Sequence, residues 1–434
     1  MRRRLAVVTI GCKANFTDSA EIAALAARAG LRVVSETAGA DILIINSCTV
    51  THRADRDSRA LARRLRRQNP EAVIVMTGCY ARTTPGDRAC LPEVNHWFGN
   101  DAMKELPRLF GSLSGESAIS GAAPSLVAVN RLLGRTRVFL KIQDGCDSAC
   151  AYCIVPKARG PGRSVPLEKV MESIRRAEQD GAREIVLTGI HAGRYGADRG
   201  ETDGLAVLLE KALTATSVCR FRLGSVEPLE ITPRLVERIA VEKRICTHIH
   251  VPMQSGSDAV LQRMRRPYTF TAYREKLLSI TSAVPEARLG ADVIVGFPGE
   301  SERDFTETLD KIRELPLSYL HVFPYSTRTG TESASWADDV GAAEKKRRAS
   351  LLLAADKEMR GDYAKAQVGK TLSVIAESEN AKGGNLEIKG LSENYLEVVF
   401  SSRDVSVGDI APVRILSARN GKLEGSIVSD SGKD

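Results

Sequence analysis

The chain of 434 residues has no apolar run approaching the length of a membrane span, which excludes a membrane-embedded helical protein. No secretory leader is expected. Met1-Arg2-Arg3-Arg4 runs into Leu5-Ala6-Val7-Val8-Thr9-Ile10, which is too short for a signal-peptide core and has no small-residue cleavage site. A cytoplasmic location is the expectation. No internal repeat and no low-complexity tract is present, so a repeat architecture is excluded. Charge of one sign hardly dominates: 62 Lys and Arg against 54 Asp and Glu give +8, which permits an anionic partner without demanding one. What remains is an ordinary globular composition, long enough for about two or three domains. It includes nine cysteines, an odd number, which in a reducing compartment are expected to bind metal rather than pair as disulfides.

Three of them stand together in Gln143-Asp144-Gly145-Cys146-Asp147-Ser148-Ala149-Cys150-Ala151-Tyr152-Cys153-Ile154-Val155-Pro156, and no fourth cysteine is near. Structural zinc usually takes a fourth Cys or His at short spacing, and none follows. Iron–sulfur clusters are held by cysteine thiolates, normally four for a cubane cluster. Three ligands leave one iron open, and an open position suggests chemistry rather than scaffolding. The spacing resembles that of the S-adenosylmethionine radical enzymes, in which the free iron chelates the amino and carboxylate groups of that cofactor.

The first hundred residues alternate strand and helix signals. Leu5–Ile10, Ala40–Asn46 and Ala72–Thr77 read as buried strands. Asp18-Ser19-Ala20-Glu21 has the pattern of a capping box opening a helix that ends near Gly30, and a basic helix is expected from Arg53 to Gln68. The alternation predicts an open parallel sheet over 1–110. Cys12, Cys48 and Cys79 each lie one or two residues past a predicted strand. Parallel strands share one rim at their carboxyl ends, where ligands bind, so these cysteines are predicted to converge.

A Gly-, Ser- and Ala-rich stretch, 111–134, reads as a linker. Over 135–365 strand runs (Val138–Gln143, Glu184–Thr188, Arg220–Gly224, His248–Val251, Ala291–Val295, Ser318–Phe323) alternate with helical stretches such as Pro166–Asp180, Gly204–Ala215, Thr232–Val241 and Glu302–Glu314. Six β/α units predict a partial (β/α)6 barrel rather than a closed one of eight. A charged helix is expected over Glu344–Met359. Short period-two strands over 366–434 predict a small all-β barrel or sandwich.

Several motifs, taken in order, resemble the radical S-adenosylmethionine methylthiotransferase family along nearly the whole chain. They are Gly11-Cys12-Lys13-Ala14-Asn15, Asn46-Ser47-Cys48-Thr49-Val50-Thr51 with Ala54-Asp55-Arg56, Thr77-Gly78-Cys79-Tyr80-Ala81, and the three-cysteine loop with Arg159-Gly160 behind it. Leu187-Thr188-Gly189-Ile190-His191, Pro252-Met253-Gln254-Ser255-Gly256-Ser257-Asp258 and Gly296-Phe297-Pro298-Gly299-Glu300 follow. The resemblance implies an N-terminal α/β domain with an auxiliary cluster, a radical barrel and a C-terminal TRAM-like β domain. The surroundings of Cys12, Cys48 and Cys79, with Val322-Phe323-Pro324-Tyr325-Ser326, resemble the branch acting on threonylcarbamoyladenosine beside the tRNA anticodon. Other branches act on isopentenyladenosine in tRNA or on a ribosomal-protein aspartate. Pro161-Gly162-Arg163-Ser164-Val165, Ala14 and Ser47 depart from the usual pattern without touching the cysteines. A non-enzymatic iron–sulfur or zinc RNA-binding protein is the alternative of a different class.

By that resemblance two 4Fe–4S clusters are expected, one on Cys146, Cys150 and Cys153 and one on Cys12, Cys48 and Cys79. The first cleaves S-adenosylmethionine to a 5′-deoxyadenosyl radical that takes a hydrogen. The second holds the sulfur, methylated by another molecule of the same cofactor. No catalytic residue beyond the ligands is implied. Tyr152, Arg159, Thr188, Gly189, Glu227 and Gly296 are the expected cofactor contacts, with Arg159 facing its carboxylate, Glu227 its ribose and Gly296 its adenosine. A reductant such as flavodoxin or ferredoxin and a sulfur donor are implied. Cys90, Cys219 and Cys246 match no motif and read as structural. The arginines of the basic helix, Arg56, Arg63 and Arg64 among them, are expected to meet the phosphates of the tRNA anticodon stem-loop, as are Arg265 and Arg266. The C-terminal domain has few aromatics for base stacking, so its RNA role rests on the resemblance.

Overall fold

The computed structural model describes residues 2–99, 102–115, 124–382, 385–419 and 421–428. Contacts divide the chain into two compact units. The first comprises Met1–Asp180, Thr188–Ile190 and Ser326–Ser335, and the second Gly181–Leu187, His191–Tyr325 and Trp336–Asp434. This grouping does not follow the predicted boundary at 135: the first predicted barrel strand falls within the first unit, although it belongs to a sheet separate from the N-terminal one.

The first unit is built on β1 (Arg4–Thr9), β2 (Arg32–Val34), β3 (Ile42–Ser47), β4 (Val73–Gly78) and β5 (His96–Trp97), in the order β2-β1-β3-β4-β5. All pairs are parallel. Every residue of β3 is buried, as a strand covered on both faces requires. Helices α1 (Lys13–Arg28), α2 (His52–Gln68), α3 (Cys79–Thr83), α4 (Ala102–Ser114) and α5 (Leu126–Leu132) accompany it. Leu43, Ile45 and Met76 pack with Leu61 and Leu65 of α2, while Leu5, Ile42 and Ile44 pack with Ile22 of α1 and Leu106 and Phe110 of α4.

Two local expectations are corrected. The helix read as starting at Asp18 begins at Lys13, so Asp18 and Glu21 lie inside α1. The stretch 111–134 is not a linker throughout. The helix α4 runs to Ser114, and α5 presents Val129 to Ala20 and Ala23 of α1. Ser125 caps α5 by accepting from the Ala128 amide, and the apolar run behind it was masked by neighbouring Gly and Ser. Residues 116–123 of that stretch lie outside the described residues. The unit continues with β6 (Val138–Asp144), α6 (Val155–Arg159), β7 (Arg163–Ser164), which pairs antiparallel with β6, and α7 (Leu167–Gln179).

The second unit takes up most of β8 (Glu184–Gly189), then α8 (Gly204–Ala215), β9 (Arg220–Leu223), α9 (Pro233–Val241), β10 (His248–His250), α10 (Asp258–Arg263), α11 (Phe270–Ala283), β11 (Arg288–Val295), α12 (Glu302–Glu314), β12 (Tyr319–Pro324) and α13 (Ala342–Lys365). β8 pairs parallel with β9, and β10, β11 and β12 pair parallel in that order. Parallel bridges Phe221–Ile245 and Ser225–His250 continue the run. This is the expected succession of β/α units.

The C-terminal strands β13 (Thr371–Lys382), β14 (Asn385–Ser392), β15 (Glu397–Ser401), β16 (Ile410–Arg419) and β17 (Lys422–Ile427) close into a barrel in the order β13-β14-β15-β17-β16. Of barrel and sandwich, the chain forms the barrel, around Val374, Ile388, Val398, Phe400, Val413 and Leu423. Two buried arginines of β9 dock it. Arg220 donates to the carbonyls of Ser373 (2.7 Å) and Leu391 (3.1 Å), and Arg222 to those of Ser392 (2.9 Å) and Glu393 (3.0 Å). Glu184, fully buried, lies 2.6 Å from Arg220 and 2.7 Å from Arg222, so the two guanidiniums share one buried carboxylate.

Candidate functional site

The three N-terminal cysteines follow the ends of neighbouring strands. β1 and β3 are in register at Thr9–Asn46, and β3 and β4 at Ser47–Gly78. Cys12 then stands as the N-cap of α1, Cys48 directly follows β3, and Cys79 opens α3. Two glycines make the approach possible. At Gly11 (φ +116°) a Cβ would fall 2.8 Å from the Cys48 Cβ, and at Gly78 (φ +88°) 2.4 Å from the Ser47 carbonyl oxygen. The predicted convergence on one rim is therefore found. Cys12 is exposed, while Cys48 and Cys79 are buried. Burial pushes the Cys48 thiol up and the Cys79 thiol up to about 12, with Cys12 adding to both and Cys48 adding to Cys79.

The second triad lies in the same unit, in the loop between β6 and α6. Gly145 lets the chain turn there, since a Cβ would meet the Pro161 carbonyl oxygen at 2.0 Å. The loop is held by Gln143 Nε2 donating to the Gly145 carbonyl (2.9 Å), by the Cys146 amide to Gly160 (3.0 Å) and by the Cys153 amide to Cys150 (3.0 Å). The Ser148 amide points at Cys146 Sγ (3.4 Å). All three cysteines are half-buried, as is Tyr152 between them. Thr188 and Gly189 belong to this unit too, and Gly189 lies against Gln143, with a would-be Cβ 3.0 Å from its carbonyl oxygen.

Arg159 is engaged within the chain. Its side chain is 2% exposed and is fixed by acceptors of the chain: Nη1 to Asp144 Oδ1 (2.9 Å), Nη2 to Asn15 Oδ1 (2.5 Å) and to Asp18 Oδ2 (2.8 Å). The guanidinium lies close enough to Cys79 to work against the rise of its thiol. Nε is buried and makes no hydrogen bond of its own. Arg159 thus belongs beside the N-terminal triad, although it sits six residues past Cys153. Lys141 pairs with Asp18 (2.5 Å) and Asp144 (3.3 Å) and completes the network. Asn15 also donates to the carbonyls of Ile10 (2.7 Å) and Ser47 (3.0 Å), tying two strand ends together. The segment Ser326–Ser335 adds a second buried arginine. Arg328 Nη2 donates to Thr49 Oγ1 (2.7 Å) and Asp55 Oδ2 (2.6 Å), just beyond Cys48.

Asn15, Asp18, Lys141, Asp144 and Arg328 were not read as site residues. Asn15, Thr49, Asp55 and Asp144 lie within or beside the cysteine motifs, and their polarity next to buried strands is the signal the sequence carries.

Glu227 and Gly296 lie in the second unit. Glu227 pairs with Arg266 at short range, and burial pushes its carboxyl up despite that partner. This corrects the expectation for Arg266, whose side chain is only 5% exposed and is committed to a carboxylate rather than presented to phosphates. Arg265 is exposed, at φ +57°. At Gly296 a Cβ would overlap the Lys345 side chain (2.3 Å to Cγ), so that space is filled by the chain itself. In the first unit Arg56, Arg63 and Arg64 are exposed on α2, with only long ion pairs (Arg56–Asp57 4.0 Å, Arg63–Glu93 3.8 Å). Arg59 and Arg66 are structural: Arg59 donates to Tyr80 Oη (3.2 Å), and Arg66 to the carbonyls of Pro70 (2.7 Å) and Ala72 (2.8 Å). Cys219 and Cys246 are buried, as expected of structural residues, but Cys90 is exposed. No described helix is long and apolar enough to cross a membrane.

Residues 4–99 match the uncharacterized protein family UPF0004, and residues 140–312 the radical SAM superfamily. The chain is 38% identical over 430 residues to the threonylcarbamoyladenosine tRNA methylthiotransferase MtaB of Bacillus subtilis (strain 168), covering 97% of this chain and 95% of that protein. It is 35% identical to the protein of the same name from Aquifex aeolicus (strain VF5), covering 91% and 96%. It is 32% identical to the tRNA-2-methylthio-N(6)-dimethylallyladenosine synthase of Pelotomaculum thermopropionicum, covering 98% and 97%. Among solved structures, the radical S-adenosylmethionine methyltransferase TsrM from Kitasatospora setae aligns with a TM-score of 0.51 over 75% of each chain, at 13% identity, a likeness of fold. With such relatives matched end to end, and cysteine triads placed at both the sheet rim and the following loop, the chain belongs to the radical S-adenosylmethionine tRNA methylthiotransferase family.

Proposed function

We propose that the protein converts N6-threonylcarbamoyladenosine beside the tRNA anticodon into its 2-methylthio derivative. The similarity to two proteins named for that reaction supports the substrate. Membership in the radical S-adenosylmethionine superfamily brings that cofactor and a 4Fe–4S cluster. The second cluster is our reading, and the single observation that carries it is the pair of cysteine triads within one compact unit.

The residues present fit two such groups. All nine cysteines are free thiols, and each triad stands on rigid strand ends or a hydrogen-bonded loop. The unpartnered Nε–H of Arg159 is a buried donor beside the N-terminal triad, the kind of group that the sulfur of a bound cluster satisfies. When bound, the clusters and S-adenosylmethionine supply one-electron chemistry and sulfur that no side chain offers.

The protein's own part is ionisation, charge and position. Cys48 and Cys79 bind metal as thiolates, so loading releases their protons, and Arg159 offsets the negative charge that remains. Asp18 and Asp144 fix the guanidinium in turn. The Ser148 amide stabilises the Cys146 thiolate. We place the cofactor's amino group at Thr188 and Gly189, next to the cysteine loop, with Tyr152 near its adenine. The exposed arginines Arg56, Arg63, Arg64 and Arg265 are the proposed tRNA contacts. A flavodoxin- or ferredoxin-like reductant, a sulfur donor and a cytoplasmic location complete the reading.

Mass spectrometry of tRNA nucleosides from cells lacking the protein tests it. Loss of 2-methylthio-N6-threonylcarbamoyladenosine is expected. Loss of the isopentenyl product instead assigns the other tRNA branch, which the 32% identical synthase keeps in view. Anaerobically reconstituted protein that yields no 5′-deoxyadenosine overturns the enzymatic reading in favour of a carrier.

A further inference from the structure

Three neighbouring parallel strands of the second unit bring two imidazoles and a carboxylate together. His250 ends β10, Asp292 is midway along β11, and His321 is on β12, in register with Asp292. His250 Nε2 lies 3.0 Å and His321 Nδ1 3.2 Å from Asp292 Oδ1, and one ligand atom from each residue lies within 4.8 Å of the others. The imidazole rings stack at 5.0 Å between centroids. We propose that His250, Asp292 and His321 form a binding site for a divalent transition-metal ion, zinc or ferrous iron by donor type, with positions left open to an oxygen ligand.

Three observations carry this. First, the donor set of two imidazoles and one carboxylate is one used by catalytic zinc and by non-haem ferrous sites, which keep further positions free. It contains no thiolate, so it does not duplicate either triad. Second, the far nitrogen of His250 is already engaged: Nδ1 lies 2.9 Å from Tyr319 Oη, which also lies 2.8 Å from His248 Nε2. Such an outer partner fixes the imidazole so that its remaining nitrogen faces the ion. The Tyr319 ring is itself held by the missing side chain of Gly290, where a Cβ would meet its Cζ at 1.9 Å. Third, exposure is graded across the site. The side chains of His250, Asp292 and His321 are 7%, 25% and 49% exposed, so the ion would be anchored on the buried side and open on the side of His321. An oxygen ligand, carboxylate, hydroxyl or water, would enter there.

The test uses the anaerobically reconstituted full chain, dialysed against zinc chloride alone and analysed for zinc and iron. Wild type is expected to retain stoichiometric zinc at unchanged iron content, and zinc is expected to raise its Tm. His321→Ala, half-exposed and so expected to fold, and Asp292→Asn should lose both effects, while His96→Ala keeps them. Wild type that binds no zinc, variants that bind as wild type does, or zinc that rises only as iron falls each overturn the proposal. The last outcome places the zinc on the cysteines.

Discussion

Arg159 carries its charge where water scarcely reaches, and the surrounding acids rather than solvent keep it ionised. Burial works against the charge, while Asp18, Cys79 and Asp144 favour it. Removing one member of a buried ion network leaves the others uncompensated. Arg159→Gln is therefore expected to cost about 3–5 kcal/mol, read by urea unfolding. Arg159→Lys should recover part of it, because the charge stays while the planar fork to Asp144, Asn15 and Asp18 is lost. Equal stability of wild type and the Gln variant would show that the network contributes nothing. The triads were legible in the sequence because cysteine spacing carries its own chemistry. The network around them was not. Asp18 reads locally as a helix cap, and its partners Lys141 and Arg159 are 123 and 141 positions away.

The helix α12 shows an element whose limits were readable to the residue, Glu302–Glu314, because its start is written in side chains. Ser301 and Asp304 form a reciprocal capping box, and Asp304 also accepts from Ser257 Oγ (2.6 Å), the N-cap of α10. Burial opposes ionisation of Asp304, but the hydrogen bonds from Ser257 and Ser301 win and hold its carboxyl below the usual range. A depressed carboxyl stabilises the fold above its unfolded pKa, and the gain is lost as pH falls toward the folded value. Asp304→Asn should cost about 1 kcal/mol near neutrality. Thermal melts of the two proteins should converge as the pH is lowered below the ordinary carboxylate range. A difference independent of pH would exclude the charged cap. The helix α5 was unreadable for the opposite reason, since its short apolar run sits in Gly- and Ser-rich surroundings. His250, Asp292 and His321 were equally hidden, because strand register alone makes them neighbours.

At the scale of the molecule, a net charge of +8 permits an anionic partner without locating it, so affinity depends on where the exposed cations stand. The helix α2 commits Arg59 and Arg66, both half-buried, to bonds within the chain and leaves Arg56, Arg63 and Arg64 exposed. Reversing them to Glu should weaken tRNA binding and lower the slope of log affinity against log salt by about 1 per phosphate contact removed. Filter binding at several salt concentrations measures this, and an unchanged slope would take α2 out of the RNA-binding face. The interleaving of the two units has a different consequence, one of timing. Thr49 and Asp55 emerge early from the ribosome, yet the guanidinium they hold belongs to Arg328. Domains generally fold as units, amino-terminal first, during synthesis. Here the first unit includes Ser326–Ser335, so it cannot be completed until three quarters of the chain has been made. A fragment ending at Asp180 is thus an unfinished fold with a buried carboxylate still waiting for its cation.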